Sequence, residues 1–190
     1  MAGVVLGTSV LQGLVRAPHA RGYTSQRWTG TGDRVDDALL GAMGVVMLAA
    51  PLVHASGRPA RFDYPLTDRG RRALAAAGVA LNIASVWLFH GTHADLDRNW
   101  SPHVELRDEQ DLVTDGVYRH VRHPMYASQF LLGAGQACLL QDWVSGPSNL
   151  LSFWPLYLRR SPREDAAMRA RFGAAWEAWA ARTGGVLSRP

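Results

Sequence analysis

Uncharged stretches recur along the chain at 1–15, 38–57, 73–94, 123–141 and 143–158, and each is bounded by Arg, Asp or Glu. Two of them reach about 20 residues, the length of an α-helix that crosses the hydrocarbon core; the stretch at 123–141 falls just short. The first and last are shorter still and need bilayer thinning, partners or partial insertion. Small residues recur in the stretches, as in Gly41-Ala42-Met43-Gly44 and Gly133-Ala134-Gly135, and permit close helix–helix approach. The pattern predicts an all-α integral membrane bundle of about 4–5 transmembrane helices. Asn82, Gln129 and Gln136 lie within spans and are expected to face the bundle or a cavity. Between Leu140 and Trp143 only Gln141 and Asp142 intervene. A tight antiparallel hairpin there returns the chain to the face it left, which puts His123 and Arg159 on one side.

Composition changes this picture in two places. A mean hydropathy of −0.09 is low for a membrane protein and leaves a soluble helical bundle as the competing architecture. All 20 basic residues are Arg, and their distribution orients the bundle. Fifteen lie in the linker 16–37, the linker 91–122 and the tail, against five in 58–72 and none in the hairpin turn. The positive-inside bias assigns the larger set to the cytoplasm and the protein to an integral membrane location, a bacterial inner membrane. Because the Arg residues are spread between apolar stretches rather than clustered, no nucleic-acid partner is expected despite a pI near 9.8. The single Cys138 excludes an intrachain disulfide and a thiol-based metal framework. His90 and His93 lack an evident third ligand, so no metal is expected. The start of the chain has no basic n-region and reads as a short first span rather than a cleavable signal.

Candidate chemistry concentrates in two segments. In the first, Asn99 to Glu105 and then Leu112 to Tyr126, two Pro, a Gly and mixed charges preclude one continuous helix. Asp115-Gly116 signals a turn, and Pro124 forces His123 extended while fitting the first helical position itself. A helix starting at Pro124 presents free amides and a positive dipole end to the loop, a field that Arg119 and Arg122 strengthen. In the second segment, Arg159 to Asp165, Ser161 and Glu164 flank Pro162 as in a capping box. Glu164 is therefore either a helix cap or a functional carboxylate. An amphipathic helix is expected from Pro162, with Met168, Phe172, Trp176 and Trp179 on one face and Gly184 as its stop. The glycines near Gly30 follow no buried strand and make no dinucleotide fingerprint.

The run Gly-Val-Tyr-Arg-His-Val-Arg-His-Pro-Met-Tyr at 116–126, with Arg160, Glu164-Asp165 and Arg171-Phe172-Gly173, closely resembles the isoprenylcysteine carboxyl methyltransferase family. Phospholipid N-methyltransferases share its general pattern. The resemblance covers roughly 73–190, which it marks as the catalytic region, with 1–72 as N-terminal membrane helices and linkers. It implies S-adenosyl-L-methionine (SAM) as cofactor, contacted by Glu105, Leu112, Val113, Tyr118, His123, Pro124, Met125, Tyr126 and Glu164. It further implies that Arg160 holds a substrate carboxylate and that the acceptor is a lipophilic or lipidated molecule, isoprenylcysteine-like, entering from the membrane lipids. Asp165 is shorter than the family's usual second acidic residue, and Glu105 is Gln in some relatives. A carboxylate acceptor needs no general base; an amine acceptor, the alternative, needs one, for which His123 and Glu105 are the candidates. A nicotinamide-dependent membrane reductase of similar C-terminal architecture is the competing enzyme class.

Overall fold

The structure, a computed structural model, describes residues 1–23, 33–57, 59–104 and 110–187, with the side chains of 21–23 left aside. Six α-helices run in the order α1 (Ala2–Tyr23), α2 (Arg34–Ala55), α3 (Asp68–Leu96), α4 (Pro124–Leu140), α5 (Ser148–Phe172) and α6 (Ala174–Ala180), and no strand of a sheet occurs among the described residues. Their starts follow local chemistry. Asp33 caps α2 by accepting from the Val35 amide at 2.9 Å, and Thr67 caps α3 by accepting from the Gly70 amide at 3.2 Å. Pro124 takes the first position of α4, as expected, with His123 before it at φ −122°.

α2 and α3 are each long and apolar enough to cross a membrane. The polarity of the bundle is that of a membrane protein. Val45, Leu52, Ile83, Trp87, Leu151 and Leu158 are exposed, while Thr8, Gln12, Asn82, Ser85, Gln129, Gln136 and Asn149 are buried. Water would invert that arrangement, because exposed Leu and Trp gain nothing there and buried amides cost free energy unless hydrogen-bonded. Most of these amides find partners. Asn82 donates to the Gly78 carbonyl at 2.8 Å, Gln136 to the Ser145 carbonyl at 2.8 Å, and Gln12 to Ser85 Oγ at 2.8 Å. The expectation for Asn82, Gln129 and Gln136 is thereby met.

Close packing centres on α3 and α4. A Cβ at Gly78 would stand 2.8 Å from Leu139 Cγ and 3.0 Å from the Gly135 carbonyl oxygen, and one at Gly133 would stand 2.7 Å from Leu150 of α5. Glycine therefore sets the separation of these helices. Gly41 and Gly44 differ: a Cβ at either meets nothing within 4 Å, so the small residues of α2 do not mediate a close approach.

Two further expectations are corrected. The connection from α4 to α5 is not a two-residue hairpin, for α5 starts only at Ser148. Asp142 is fully buried and ties the turn to α2 through His54 Nδ1 at 2.9 Å. Nor does a new helix start at Pro162. α5 runs unbroken past Pro155 and Pro162 and ends at Gly173, whose φ of +52° breaks the helix before α6. α6 itself ends at Ala180, ahead of Gly184. Met168 and Phe172 nevertheless meet Trp176 and Trp179 across that break, packed with Tyr118.

Candidate active site

The unbroken α5 places Arg160 and Glu164 one helical turn apart on a rod that continues beyond the apolar run, with Nε and Oε1 3.9 Å apart. Ser161 and Pro162 lie inside this helix, so Glu164 cannot be a capping-box residue. It faces a cavity of about 270 Å³. Tyr126, in the first turn of α4, donates its hydroxyl to Glu164 Oε1.

His123 stands between two carboxylates, with Nδ1 3.4 Å from Glu164 Oε2 and Nε2 3.0 Å from Asp165 Oδ1. An imidazole can serve acceptors at both nitrogens only as imidazolium. Burial opposes that charge, but the hydrogen bonds to Asp165 and Glu164 outweigh it and raise His123 to about 9. His123 is thus a cation at neutral pH and is not a base. Asp165 has a defined task as well: it holds the His123 ring.

Arg160 is buried, and its Nη2 donates to the Pro102 carbonyl at 2.7 Å. Its Nε lies 3.6 Å from Asp36 Oδ2 and makes no hydrogen bond. Asp36, buried in the first turn of α2, also accepts from Arg159 Nε at 3.0 Å and Arg163 Nη1 at 3.1 Å. Sequence reasoning passed over Asp36, one of the charges that bound the apolar stretch at 38–57. Beside it, the Arg159 hydrogen bond, followed by that from the Val35 amide, lowers Asp33 to about 2.

Val113, Tyr118, His123, Pro124, Met125, Tyr126, Arg160 and Glu164 all line the one cavity. Leu112 does not; it packs against the Tyr118–Trp176–Trp179 cluster behind the wall. Glu105 lies outside the described residues. The field expected from Arg119 and Arg122 is also altered. Arg122 Nη1 donates to the Ala180 and Thr183 carbonyls at 3.0 and 2.6 Å, clamping the C-terminal turn, while Arg119 is exposed beside His120. The remaining wall comes from helices that sequence reasoning left outside the catalytic region. α1 supplies Gln12 and Arg16, and α2 supplies Leu40, Met43 and Met47. Phe153 and Leu156 of α5 complete this apolar side.

Chemically the cavity has two halves. One is polar and aromatic, built on the first turn of α4, where Met125 and Tyr126 have amides without intrahelical acceptors, and on Glu164. The other is apolar and borders exposed, lipid-compatible helix faces. Arg160 stands where they meet.

The profile of the isoprenylcysteine carboxyl methyltransferase (ICMT) family matches residues 77–170, from α3 through the Arg160–Asp165 segment. This segment is similar to the ICMT family. A protein-S-isoprenylcysteine O-methyltransferase of Schizosaccharomyces pombe is 38% identical over 66 residues, which are 35% of this chain and 28% of that protein. A probable protein-S-isoprenylcysteine O-methyltransferase of Oryza sativa subsp. indica is 31% identical over 77 residues, 40% of either chain. The Homo sapiens protein-S-isoprenylcysteine O-methyltransferase is 33% identical over 69 residues, 36% of this chain and 24% of that one. The matched segments thus span less than half of these relatives' length. The ICMT segment holds Tyr118, His123, Tyr126, Arg160 and Glu164, whereas Asp36, Arg16 and the methionines of α2 lie outside it.

Proposed function

We propose that this chain is an integral membrane methyltransferase that uses SAM and esterifies a carboxylate on a lipophilic, isoprenylcysteine-like acceptor. The observation that carries the reading is the buried Arg160, whose Nε is left without a hydrogen bond at the junction of the polar and apolar halves of one cavity. A buried donor of this kind is costly until an acceptor reaches it, and a guanidinium suits a carboxylate.

The polar half fits the cofactor. Glu164 pairs with an ammonium, the free amides of the α4 terminus favour a carboxylate, and Tyr118, Tyr126, Trp176 and Trp179 offer aromatic surface to an adenine or a sulfonium. When bound, SAM supplies an electrophilic methyl group. Arg160 orients the acceptor carboxylate toward that half, and a carboxylate at neutral pH attacks without losing a proton. Since His123 is held as a cation, it cannot serve as the base that an amine acceptor would call for, and the ester-forming reading is preferred. Leu40, Met43, Met47 and Leu156 receive the lipophilic part and exclude water.

In this reading α1 to α5 form the membrane bundle, and the site lies at its Arg-rich, cytoplasmic end. Calorimetric titration with S-adenosylhomocysteine and with NADPH separates this reading from a reductase: binding of the first alone is expected, and binding of NADPH alone would overturn it. A cysteine at the exposed position 143 in a Cys138-free background should react with an impermeant reagent only from the side opposite the site. Labelling from the cytoplasm would reverse the orientation.

A further inference from the structure

Arg160 is not the only arginine in the cavity. Arg16, near the middle of α1, also lines it, with its guanidinium over the face of Trp100 at 5.2 Å from the ring centroid. It lies close enough to Arg160 for the two charges to repel, and no carboxylate among the described residues pairs with it. Trp100 is itself a buried wall residue whose Nε1–H has no acceptor. Arg16, Trp100 Nε1 and Arg160 Nε are therefore three donors on one cavity, two of them cationic and the two nitrogens named unsatisfied. Arg160 has carboxylates beside it, Asp36 at 3.6 Å and Glu164 at 3.9 Å, so the charge on this wall that lacks a counter-ion among the described residues is that of Arg16. Gln129 Oε1 is an orphaned acceptor on the same wall, but its amide nitrogen is already engaged by Gln12 at 3.2 Å.

We infer that Arg16 is a second anion-binding residue for the methyl acceptor, gripping its carboxylate from α1 opposite Arg160 of α5. The inference rests on the carboxylate-acceptor reading above. It makes α1, which lies outside the matched family segment, a determinant of acceptor specificity. Stacking on Trp100 holds the guanidinium plane and leaves its edge for the ligand. A ligand carboxylate supplies the charge that Arg16 lacks, and an acceptor without the anion would leave the Arg16 guanidinium uncompensated beside Arg160.

The test uses purified full-length protein in nanodiscs, with N-acetyl-S-farnesylcysteine as acceptor and its carboxamide as competitive inhibitor. Arg16→Gln is expected to raise KM for the acid by about tenfold or more. Affinity for S-adenosylhomocysteine and for the carboxamide should stay unchanged, so that discrimination between acid and amide collapses. Arg16→Lys keeps the charge but not the fork, and an intermediate KM is expected; it serves also where the Gln variant does not fold. A loss of S-adenosylhomocysteine affinity at constant acceptor KM would place Arg16 on the cofactor and overturn the inference. Unchanged KM in either variant would reduce Arg16 to a stacking partner of Trp100 and overturn it too. A wild-type protein that transfers no methyl to the acid would overturn the inference together with the reading it rests on, a failure visible before any variant is made.

Discussion

Both ends of the bundle are closed by a histidine against a carboxylate, and the two pairs are used differently. At one end His54 Nδ1 meets Asp142 Oδ2 at 2.9 Å, and Asp142 Oδ1 accepts from the Val144 and Ser145 amides at 2.9 and 2.6 Å. Around this pair, Tyr64 donates its amide to the Gln141 carbonyl, Trp143 donates to that of Phe62, and the Tyr64 and Trp143 rings meet at 4.6 Å. Every oxygen of that carboxylate is occupied, and the open pocket of about 430 Å³ beside His54 and Gln141 is not lined by Asp142. At the other end His123 is held by two carboxylates, yet Glu164 and Arg160 keep atoms directed at a cavity of about 270 Å³. The same residue types make a clamp where the backbone saturates them and a binding site where it does not. What marks the site is incomplete satisfaction next to open volume.

Breaking the clamp should have the largest effect. Asp142→Ala removes the acceptor for His54 and two amides, and should cost about 3–4 kcal/mol of stability, read as a lower melting temperature in lipid nanodiscs. S-adenosylhomocysteine affinity of the surviving folded fraction should be unchanged. A comparable loss of affinity would couple the two ends and dissolve the distinction.

The His123 pair should show itself in pH. Its pKa is raised from 6.5 to about 9 in the folded protein, so its contribution is fully present below about 6.5 and is lost as pH rises through about 9. The shift corresponds to about 3 kcal/mol. Melting temperature should decline across that window in the wild type, and His123→Gln should flatten the decline. An equally steep decline in the variant would assign the pH dependence elsewhere.

Arg160→Lys keeps a charge at the boundary and loses the planar fork. Methylation of a carboxylate acceptor should fall by about 2–3 kcal/mol in transition-state terms while S-adenosylhomocysteine still binds. Glu164→Gln should have a smaller effect, lowering cofactor affinity about tenfold, or about 1.4 kcal/mol. With Glu164 in mid-helix, capping no longer competes as an explanation. A wild-type Kd would remove Glu164 from the cofactor half.

Much of this end of the molecule was legible in the sequence, because its signals are local. Pro124 dictates the start of α4, and the His123–Tyr126 and Arg160–Glu164 spacings are short enough to fix relative placement. The misreadings came where tertiary context overrode a local motif. Ser161-Pro162 carries a genuine helix-start pattern, but packing of α5 against α2 and α4 carries the helix through it. Gln141-Asp142 looked like a bare turn because nothing local reveals that His54, 88 positions away, reaches Asp142. Asp36 and Arg16 were missed for the same reason. Asp36 is an unremarkable charge in the first turn of α2, and Arg16 another within α1, until the bundle brings them to Arg160.

The central claim is that the cavity joins a SAM-binding half to a carboxylate-holding one, and the chemical form of the product tests it most directly. Purified wild-type protein in nanodiscs should transfer a labelled methyl group from SAM to N-acetyl-S-farnesylcysteine, and mild base should release the label as methanol, the mark of an ester. The corresponding farnesylated amine should remain unlabelled. A base-stable N-methyl product, with the acid left unmodified, would contradict the account.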